Sequence, residues 1–424
     1  MRTLTIAGAT VALALAGCGG ADESEPAADG GTDAGASGGA PPNAPGFDGT
    51  TIKVGALSPL SGPVAVIGNP LTNGNKVFFD ALNAKGGIAG KYKVELVQDD
   101  TQYKPDVAVQ RYNRLKGDVV AFTQVLGTAV TLGVLPQLKR DEILAAPASL
   151  DAFWVREPNL LPVGNPYQGQ AINGIDYYLK NGGEGKNICS LSQDDAYGEA
   201  GKEGVDFVAE KEGFKLASAQ KFTQGDKDVT GQIQSLAGAK CDAVFVTSLP
   251  TDSGTIWGTA AKLGFAPQWI AQSPAWIDEL GASPLKDYLA KNVWVVAEGT
   301  EWGDESVEGM KQMVADVEQF DPNQDPDYYF AFGYVQGEAM SAVLEKAVEN
   351  GDLSHKGVLD ASKELGNVSF DGLFGDYEYG DAEARTPPSA STIFEVDTDK
   401  PYALGTLEKD YTSEAVSEFE YKAR

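Results

Sequence analysis

Apolar and polar positions along this chain alternate in blocks. Short runs of consecutive apolar residues are followed by longer stretches in which apolar side chains recur every three or four positions. Runs without polar alternation suit strands buried on both faces of a parallel sheet, and the longer period suits helices packed over it. Thr51 to Leu57 reads as a first strand. Asn69-Pro70 reads as N-cap and first residue of a helix with an apolar face of Leu71, Val77, Phe78, Ala81 and Leu82, ended by Gly86-Gly87. A strand from Tyr92 to Val97 leads to Asp99-Asp100 and a helix opened by Pro105. The run from Val119 to Leu126 predicts a strand buried on both faces, Gly127 a tight turn, and Thr128 the N-cap of a helix to about Arg140. Ile143 to Ala146 is a fourth strand, ending at Pro147-Ala148-Ser149.

A second unit starts near Asn165. Strands are predicted at 187–192, 214–222, 241–247 and 268–271, and helices at 166–179, from Tyr197 to about Glu212, at 228–239 and at 252–263. Both halves therefore predict the same α/β architecture of four strands with intervening helices, two doubly wound lobes facing each other. After Trp294-Val295-Val296-Ala297 the chain is expected to cross back through helices at 306–319, 328–349 and 357–365. Two late strands, near 372–379 and 391–395, then return to the second lobe.

Composition narrows the function. The chain has 424 residues, 42% of them apolar, and a formal net charge of −28, which argues against nucleic acid and against a polybasic membrane patch. His355 is the only histidine, so histidine-based triads, HExxH zinc sites and imidazole acid–base chemistry are excluded. Asp321-Pro322-Asn323-Gln324-Asp325-Pro326-Asp327 imitates a calcium loop but has Pro326 at the glycine place and Phe332 at the place of the last acid. It reads as a helix-entry loop, and no metal or cofactor is expected. Adjacent Asp194 and Asp195 cannot flank a bond from opposite sides, so a hydrolase is the weakest alternative.

Residues 1–18 read as a processing segment, with Arg2 followed by an apolar core from Leu4 to Ala16 that is shorter than the about 20 residues a bilayer span needs. Leu15-Ala16-Gly17-Cys18 resembles the lipobox of bacterial lipoproteins, which implies cleavage before Cys18 and a lipid on its sulfur. A secretory leader with a chance cysteine is the alternative. Residues 19–47 are Gly, Ala, Ser, Pro and acid, a flexible tether reaching on the order of 30 Å. The G-x-S-x-G match at Gly35–Gly39 inside it has neither a preceding strand nor a following helix, and carries nothing. Cys189 and Cys241 are expected as two buried thiols, with a disulfide as the alternative.

The run Lys53-Val54-Gly55-Ala56-Leu57-Ser58-Pro59-Leu60-Ser61-Gly62-Pro63 resembles the opening of the leucine/isoleucine/valine-binding protein family. The phrase Leu82-Asn83-Ala84-Lys85-Gly86-Gly87-Ile88-Ala89-Gly90 and the landmark Asp99-Asp100 are similar to the same family. The likeness implies a type I periplasmic-binding-protein fold with a three-stranded hinge, crossing near 162–166, 297–300 and 384–390. Lobe 1 would be 48–164 plus 299–387, and lobe 2 165–298 plus 388–424. It implies a monomeric, non-enzymatic binding protein of an ABC importer, anchored outside the cell membrane and delivering a small amino-acid-like, amide or carboxylate ligand to a permease. A sensor module for a signalling partner is the alternative.

The strand rule and the resemblance both put the site between the lobes. The first-turn N–H groups and hydroxyl of Thr128 can seat a carboxylate, with Ala148 and Ser149 on the next turn and the loop of Ser61 as a rim. The resemblance implies that Tyr197 meets the ligand from the other lobe. Where it would place an acid for the ligand ammonium, this chain has Ala271-Gln272-Ser273-Pro274-Ala275-Trp276, and where it would place another tyrosine, Ser248-Leu249-Pro250. Gln272 and Trp276 then become candidate contacts, and Asp194, Glu298 or Glu301 candidate substitutes for the missing acid.

Overall fold

A computed structural model describes residues 42–181 and 185–423. The leader, Cys18, the G-x-S-x-G match and most of the tether lie outside the described residues. The first half runs β1 (Thr51–Ser58), α1 (Ala65–Ala84), β2 (Lys93–Asp100), α2 (Pro105–Leu115), β3 (Ala121–Leu126), α3 (Thr128–Asp141) and β4 (Ala145–Ala148). These strands form one parallel sheet in the order β2-β1-β3-β4. The chain continues through α4 (Tyr167–Asn181), β5 (Ile188–Gln193), α5 (Ala196–Lys211), β6 (Ser218–Phe222), α6 (Thr230–Gly238), β7 (Ala243–Thr247), α7 (Pro250–Lys262) and β8 (Gln268–Gln272). Short helices α8 (Asp278–Gly281) and α9 (Lys286–Asn292) precede β9 (Val293–Ala297). Then come α10 (Glu308–Phe320), α11 (Tyr328–Glu349), α12 (His355–Lys363), the short ribbon of β10 (Asn367–Val368) with β11 (Tyr377–Glu378), and finally β12 (Ser391–Val396) and β13 (Leu404–Tyr411).

Among the described residues the second sheet has seven strands, not four, in the order β13-β12-β9-β8-β7-β5-β6. Its first five members in chain order are parallel, and β12 and β13 add an antiparallel edge. The sequence missed β13 because its pattern after Leu404-Gly405 alternates charge with little apolar content, as an edge strand's does. The late strand expected near 372–379 shrinks to β11 and pairs only with β10, outside both large sheets.

The wall of the first lobe depends on α1 and α11, which pack side by side. A Cβ on Gly74 would lie 2.0 Å from the Phe330 carbonyl oxygen, and one on Gly333 1.8 Å from that of Leu71. Only glycine permits this approach, and it brings Ile67 and Leu71 of α1 beside the aromatic start of α11. Helix α1 begins five residues before the predicted Asn69-Pro70 entry and carries Pro70 inside it. The carbonyl that Pro70 leaves unpaired belongs to Val66, which lies at the surface where water can serve it.

β3 is buried along its whole length, as predicted, yet holds two polar residues. The β1–β3 register shifts between Gly55 and Ala56, leaving Thr123 as the extra residue of a bulge. Thr123 donates to Asn75 (2.8 Å), and Gln124 donates to Ser58 (2.7 Å) and Thr72 (2.9 Å), so the polar groups are satisfied by α1 and β1.

Cys189 and Cys241 are not free thiols. They form a disulfide, with Cα atoms 5.8 Å apart. Neighbouring parallel strands explain it: Ile188 pairs with Ala243, so Cys241 lies just ahead of the β7 edge next to Cys189.

At the end of β9 the chain leaves the second sheet through Glu298, which is 3% exposed. Its carboxyl accepts from Gln170 Nε2 (2.7 Å) on α4 and from the Tyr328 hydroxyl (2.5 Å) on α11. Burial pushes its pKa up to about 8, because two neutral donors compensate only part of the lost hydration.

Two outcomes test this framework. Replacing both Cys189 and Cys241 by alanine reopens a loop of sequence separation 52 and should cost about 2–4 kcal/mol in urea unfolding, with reductant erasing the difference from the parent. For Glu298 the folded pKa lies above the unfolded one. Its contribution to stability is therefore complete below about pH 4.5 and is lost as pH rises through about 8. Glu298→Gln should flatten that window of the stability–pH profile, measured as parent minus variant; parallel profiles would contradict the burial argument.

Candidate functional site

The carboxyl ends of β3 and β4 meet those of the second sheet across a cavity whose space, part of it open to solvent, amounts to about 460 Å³. From the first lobe it is lined by Ile67, Leu71, Tyr103, Leu126, Gly127, Thr128, Ala148, Ser149 and Leu150. Tyr167, Tyr197, Leu249, Ser273 and Pro274 close the opposite side, and Tyr328, Tyr329 and Phe332 of α11 the back. Among the described residues no charged side chain lines it.

One end is polar. Gly127, not Thr128, is the N-cap of α3, with φ 107°, and Thr128 is the first helical residue. Glycine is required there twice over: the positive φ disfavours other residues, and a Cβ would lie 2.5 Å from the Tyr103 ring. The first intrahelical bond runs from Thr131 N–H to the Gly127 carbonyl (2.8 Å), so the N–H groups of Thr128, Ala129 and Val130 precede it and have no helical acceptor. Freed from capping, the Thr128 hydroxyl lies 3.0 Å from that of Ser149. Trp154 Nε1 donates to Ser149 Oγ (2.9 Å). With Trp154 donating, Ser149 can donate onward to Thr128, leaving the Thr128 proton for an oxygen in the cavity.

The remaining walls are aromatic and neutral. Burial raises the pKa of Tyr103, Tyr167, Tyr197, Tyr328 and Tyr329, so each keeps its proton. Tyr197 follows Ala196 at the start of α5, where Asp195 caps the helix by accepting from the N–H groups of Tyr197 (3.0 Å) and Gly198 (3.1 Å). Its ring packs 5.0 Å from that of Tyr167, and its hydroxyl donates to the Ser248 carbonyl (3.2 Å). Tyr329 donates to the carbonyls of Pro274 (3.1 Å) and Trp276 (2.8 Å).

Of the residues singled out in the sequence, Thr128, Ala148, Ser149 and Tyr197 come together on this cavity. Ser61 does not: it is exposed and donates to Asp100 (2.5 Å). Asp194 lies on the surface, paired with Lys221 (3.0 Å). Gln272 is fully buried but lies inside the second lobe, beside Thr247 and under Gly201. Trp276 packs behind the cavity, its Nε1 donating to the Tyr402 carbonyl (3.1 Å). Neither remaining acid substitutes for the missing one, since Glu301 pairs with Lys400 (2.9 Å) and Glu298 is shielded by Tyr328. The supposed calcium loop enters α11, with Asp327 accepting from Tyr329 N–H (2.6 Å) and Phe330 N–H (3.0 Å) as its cap.

Sequence reasoning missed Tyr103, Tyr167 and the α11 residues Tyr328, Tyr329 and Phe332. The last group had a signal, the aromatic run Tyr328-Tyr329-Phe330-Ala331-Phe332 at a helix start, too dense for a helix with a single buried face.

Residues 51–401 match the family described as periplasmic binding protein. The chain is 27% identical over 211 residues to the Leu/Ile/Val-binding protein BraC3 of Rhizobium johnstonii, across 48% of this chain and 56% of that one. It is 24% identical over 227 residues to the leucine-, isoleucine-, valine-, threonine-, and alanine-binding protein of Pseudomonas aeruginosa, across 52% and 60%. The chain thus spans less than two thirds of the length of these curated relatives. Among solved structures, a fatty acid ABC transporter substrate-binding protein from Thermomonospora curvata superposes with a TM-score of 0.84 at 22% identity, covering 90% of this chain and 98% of that one. A branched chain amino acid ABC transporter protein from Thermus thermophilus with bound valine gives 0.73 at 16%, covering 88% and 99%. The likeness to solved structures bears on the fold, and with the match over residues 51–401 it leads to one conclusion: the chain belongs to the periplasmic binding protein family that includes the leucine/isoleucine/valine-binding proteins.

Proposed function

We propose that this protein is the solute-binding component of an ABC importer, and that its solute is a carboxylate with an apolar body and no ammonium group. The observation that carries the reading is the uncharged cavity between the lobes, with donors at one end and aromatic walls elsewhere. The carboxylate would accept from the free N–H groups of α3 and the hydroxyls of Thr128 and Ser149. Tyr103, Tyr167, Tyr197 and Phe332 would enclose the body, where each buried methylene contributes about 0.8 kcal/mol.

An amino acid would have to bury its ammonium beside neutral groups, at a cost of several kcal/mol. Fatty-acid and amino-acid binders both occur among the structural relatives, and the lining favours the chemistry of the former. The lobes 48–164 plus 299–387 and 165–298 plus 388–424 would close on the solute as units, since Tyr197 and Leu249 reach it only from the second. The closed monomer would then dock on a membrane permease. Lipid on Cys18 and the 19–47 tether would hold it at the outer face of the membrane, and the disulfide fits an oxidising compartment.

A thermal-shift panel separates the solute classes. Aliphatic or aromatic monocarboxylates at 100 times their dissociation constant should add about 2.7 kcal/mol, with leucine and valine inactive. Stabilisation by the amino acids alone would reverse the assignment. Thr128→Ala should weaken carboxylate binding by roughly 1–3 kcal/mol in calorimetry, because it leaves a buried oxygen short of one donor. An unchanged affinity would remove Thr128 from the site.

A further inference from the structure

A second cavity lies behind the first, and the two share a wall. Its space amounts to about 560 Å³, part of it open to solvent, where the chain crosses between lobes, among Trp276, Trp302, Leu373, Phe374, Phe394 and Leu404. Tyr328 and Ser273 line both spaces. The division follows the turn of α11: Tyr329 and Phe332 face the first cavity, Ala331 the second, and Tyr328 stands between them.

Protein interiors pack to near crystal density, and apolar hollows that do persist take up apolar molecules. Trp276, Leu373 and Phe394 bury its inner wall, while half-buried Thr300, Glu301 and Trp302 and exposed Pro401 form its outer rim. Two carboxyls touch it, and both are engaged. Glu301 is paired with Lys400 (2.9 Å), and Glu298 accepts from Gln170 (2.7 Å) and Tyr328 (2.5 Å). The pKa of Glu298, raised to about 8 by burial, leaves it neutral at pH 7 and compatible with hydrocarbon beside it.

Tyr328 is held in the wall by its bond to Glu298 and by a parallel stack on Phe374, with ring centroids 6.1 Å apart. Rotation about its side-chain bonds would release both and open one cavity into the other. A passage the width of one displaced side chain would suit a single file of methylenes better than a branched or polycyclic body.

We propose that the second cavity is the tail subsite of the same binding site. Tyr328 swings off the shared wall, and the solute is a straight-chain aliphatic carboxylate. Its head sits at Thr128 and Ser149, and its tail runs past Tyr328 to Trp302 and Phe374. This rests on the carboxylate reading above and adds to it a chain length.

Calorimetry of the purified full-length protein with straight-chain carboxylates of about 6 to about 16 carbons tests both levels. Affinity should climb about fourfold per methylene well beyond the length that fills the first cavity. Ala331→Leu, which fills the second cavity, should leave the shortest acids bound as in the parent and abolish the gain for the long ones. Tyr328→Ala, which removes the shared wall, should keep or steepen the gain. A parent affinity that levels off at short acids would overturn the tail subsite while leaving the carboxylate reading intact. So would an Ala331→Leu length profile that follows the parent's. If no carboxylate of any length binds, both fall. Short acids bound equally by the parent and Ala331→Leu also serve as the control that the variant is folded.

Discussion

The price of removing a charge from water governs what stands between the two lobes. A carboxylate or ammonium buried without compensation costs several kcal/mol, comparable to a whole domain's margin of stability. Among the described residues no acid lines the cavity, and those near it have partners elsewhere: Asp195 and Asp327 the first turns of α5 and α11, Asp151 the Phe153 N–H and Gln168, Asp252 the Gly225 N–H, Glu298 Gln170 and Tyr328, Glu301 Lys400. Neutral tyrosines then fill the space. Their rings supply apolar area, the hydroxyls of Tyr197 and Tyr329 reach outward to main-chain carbonyls and that of Tyr328 to Glu298, and burial keeps all of them protonated, so none adds a charge to the cavity.

Shape follows from a few backbone positions. Gly127 lets β3 turn into α3 under the Tyr103 ring, so that the helix start opens onto the cavity with its N–H groups unspent. Gly74 and Gly333 let α1 and α11 touch, which sets Ile67 and Leu71 against Phe332 and Tyr329. A side chain at Gly74 or Gly333 would meet the backbone of the facing helix and force α1 and α11 apart, whereas one at Gly127 would press on the Tyr103 ring and strain a residue with positive φ. The donors at one end and the aromatic walls are thus consequences of the same close backbone approaches.

Most of the elements were legible in the pattern of apolar positions, and α11 was placed at its observed bounds, Tyr328–Glu349. Thr128, Ala148, Ser149 and Tyr197 were legible because parallel sheets present ligands with strand ends, and strand ends can be read locally. Tyr103, Tyr167 and the α11 aromatics were not, because they reach the cavity through packing between segments far apart in sequence. Local pattern also misjudged caps. Pro70 looked like a helix start, but a proline's missing N–H matters only if the carbonyl four residues back is buried, and Val66 is at the surface. The cysteine pair was ambiguous for the same reason: 52 residues apart, they meet only because β5 and β7 are neighbours in the sheet.

The missing acid after β8 raises a final question, whether main-chain carbonyls could serve an ammonium in its place. Carbonyl oxygens do lie near this part of the cavity, at Pro274 on its lining and at Ser248 and Trp276, which accept from its tyrosines. Each already accepts from a protein hydroxyl: Ser248 from Tyr197, Pro274 from Tyr329, and Trp276 from both Tyr329 and Tyr402. Ser248 and Pro274 each keep a second lone pair, so an ammonium could bond there without displacing a hydroxyl, but a neutral carbonyl does not supply the counter-charge that offsets the hydration a buried ammonium gives up. A carboxylate faces the opposite balance, because the first turn of α3 has donors that no protein acceptor takes up within the helix. What each end of an amino acid would meet here therefore differs: unspent N–H donors for the carboxylate, and no negative charge on the lining for the ammonium.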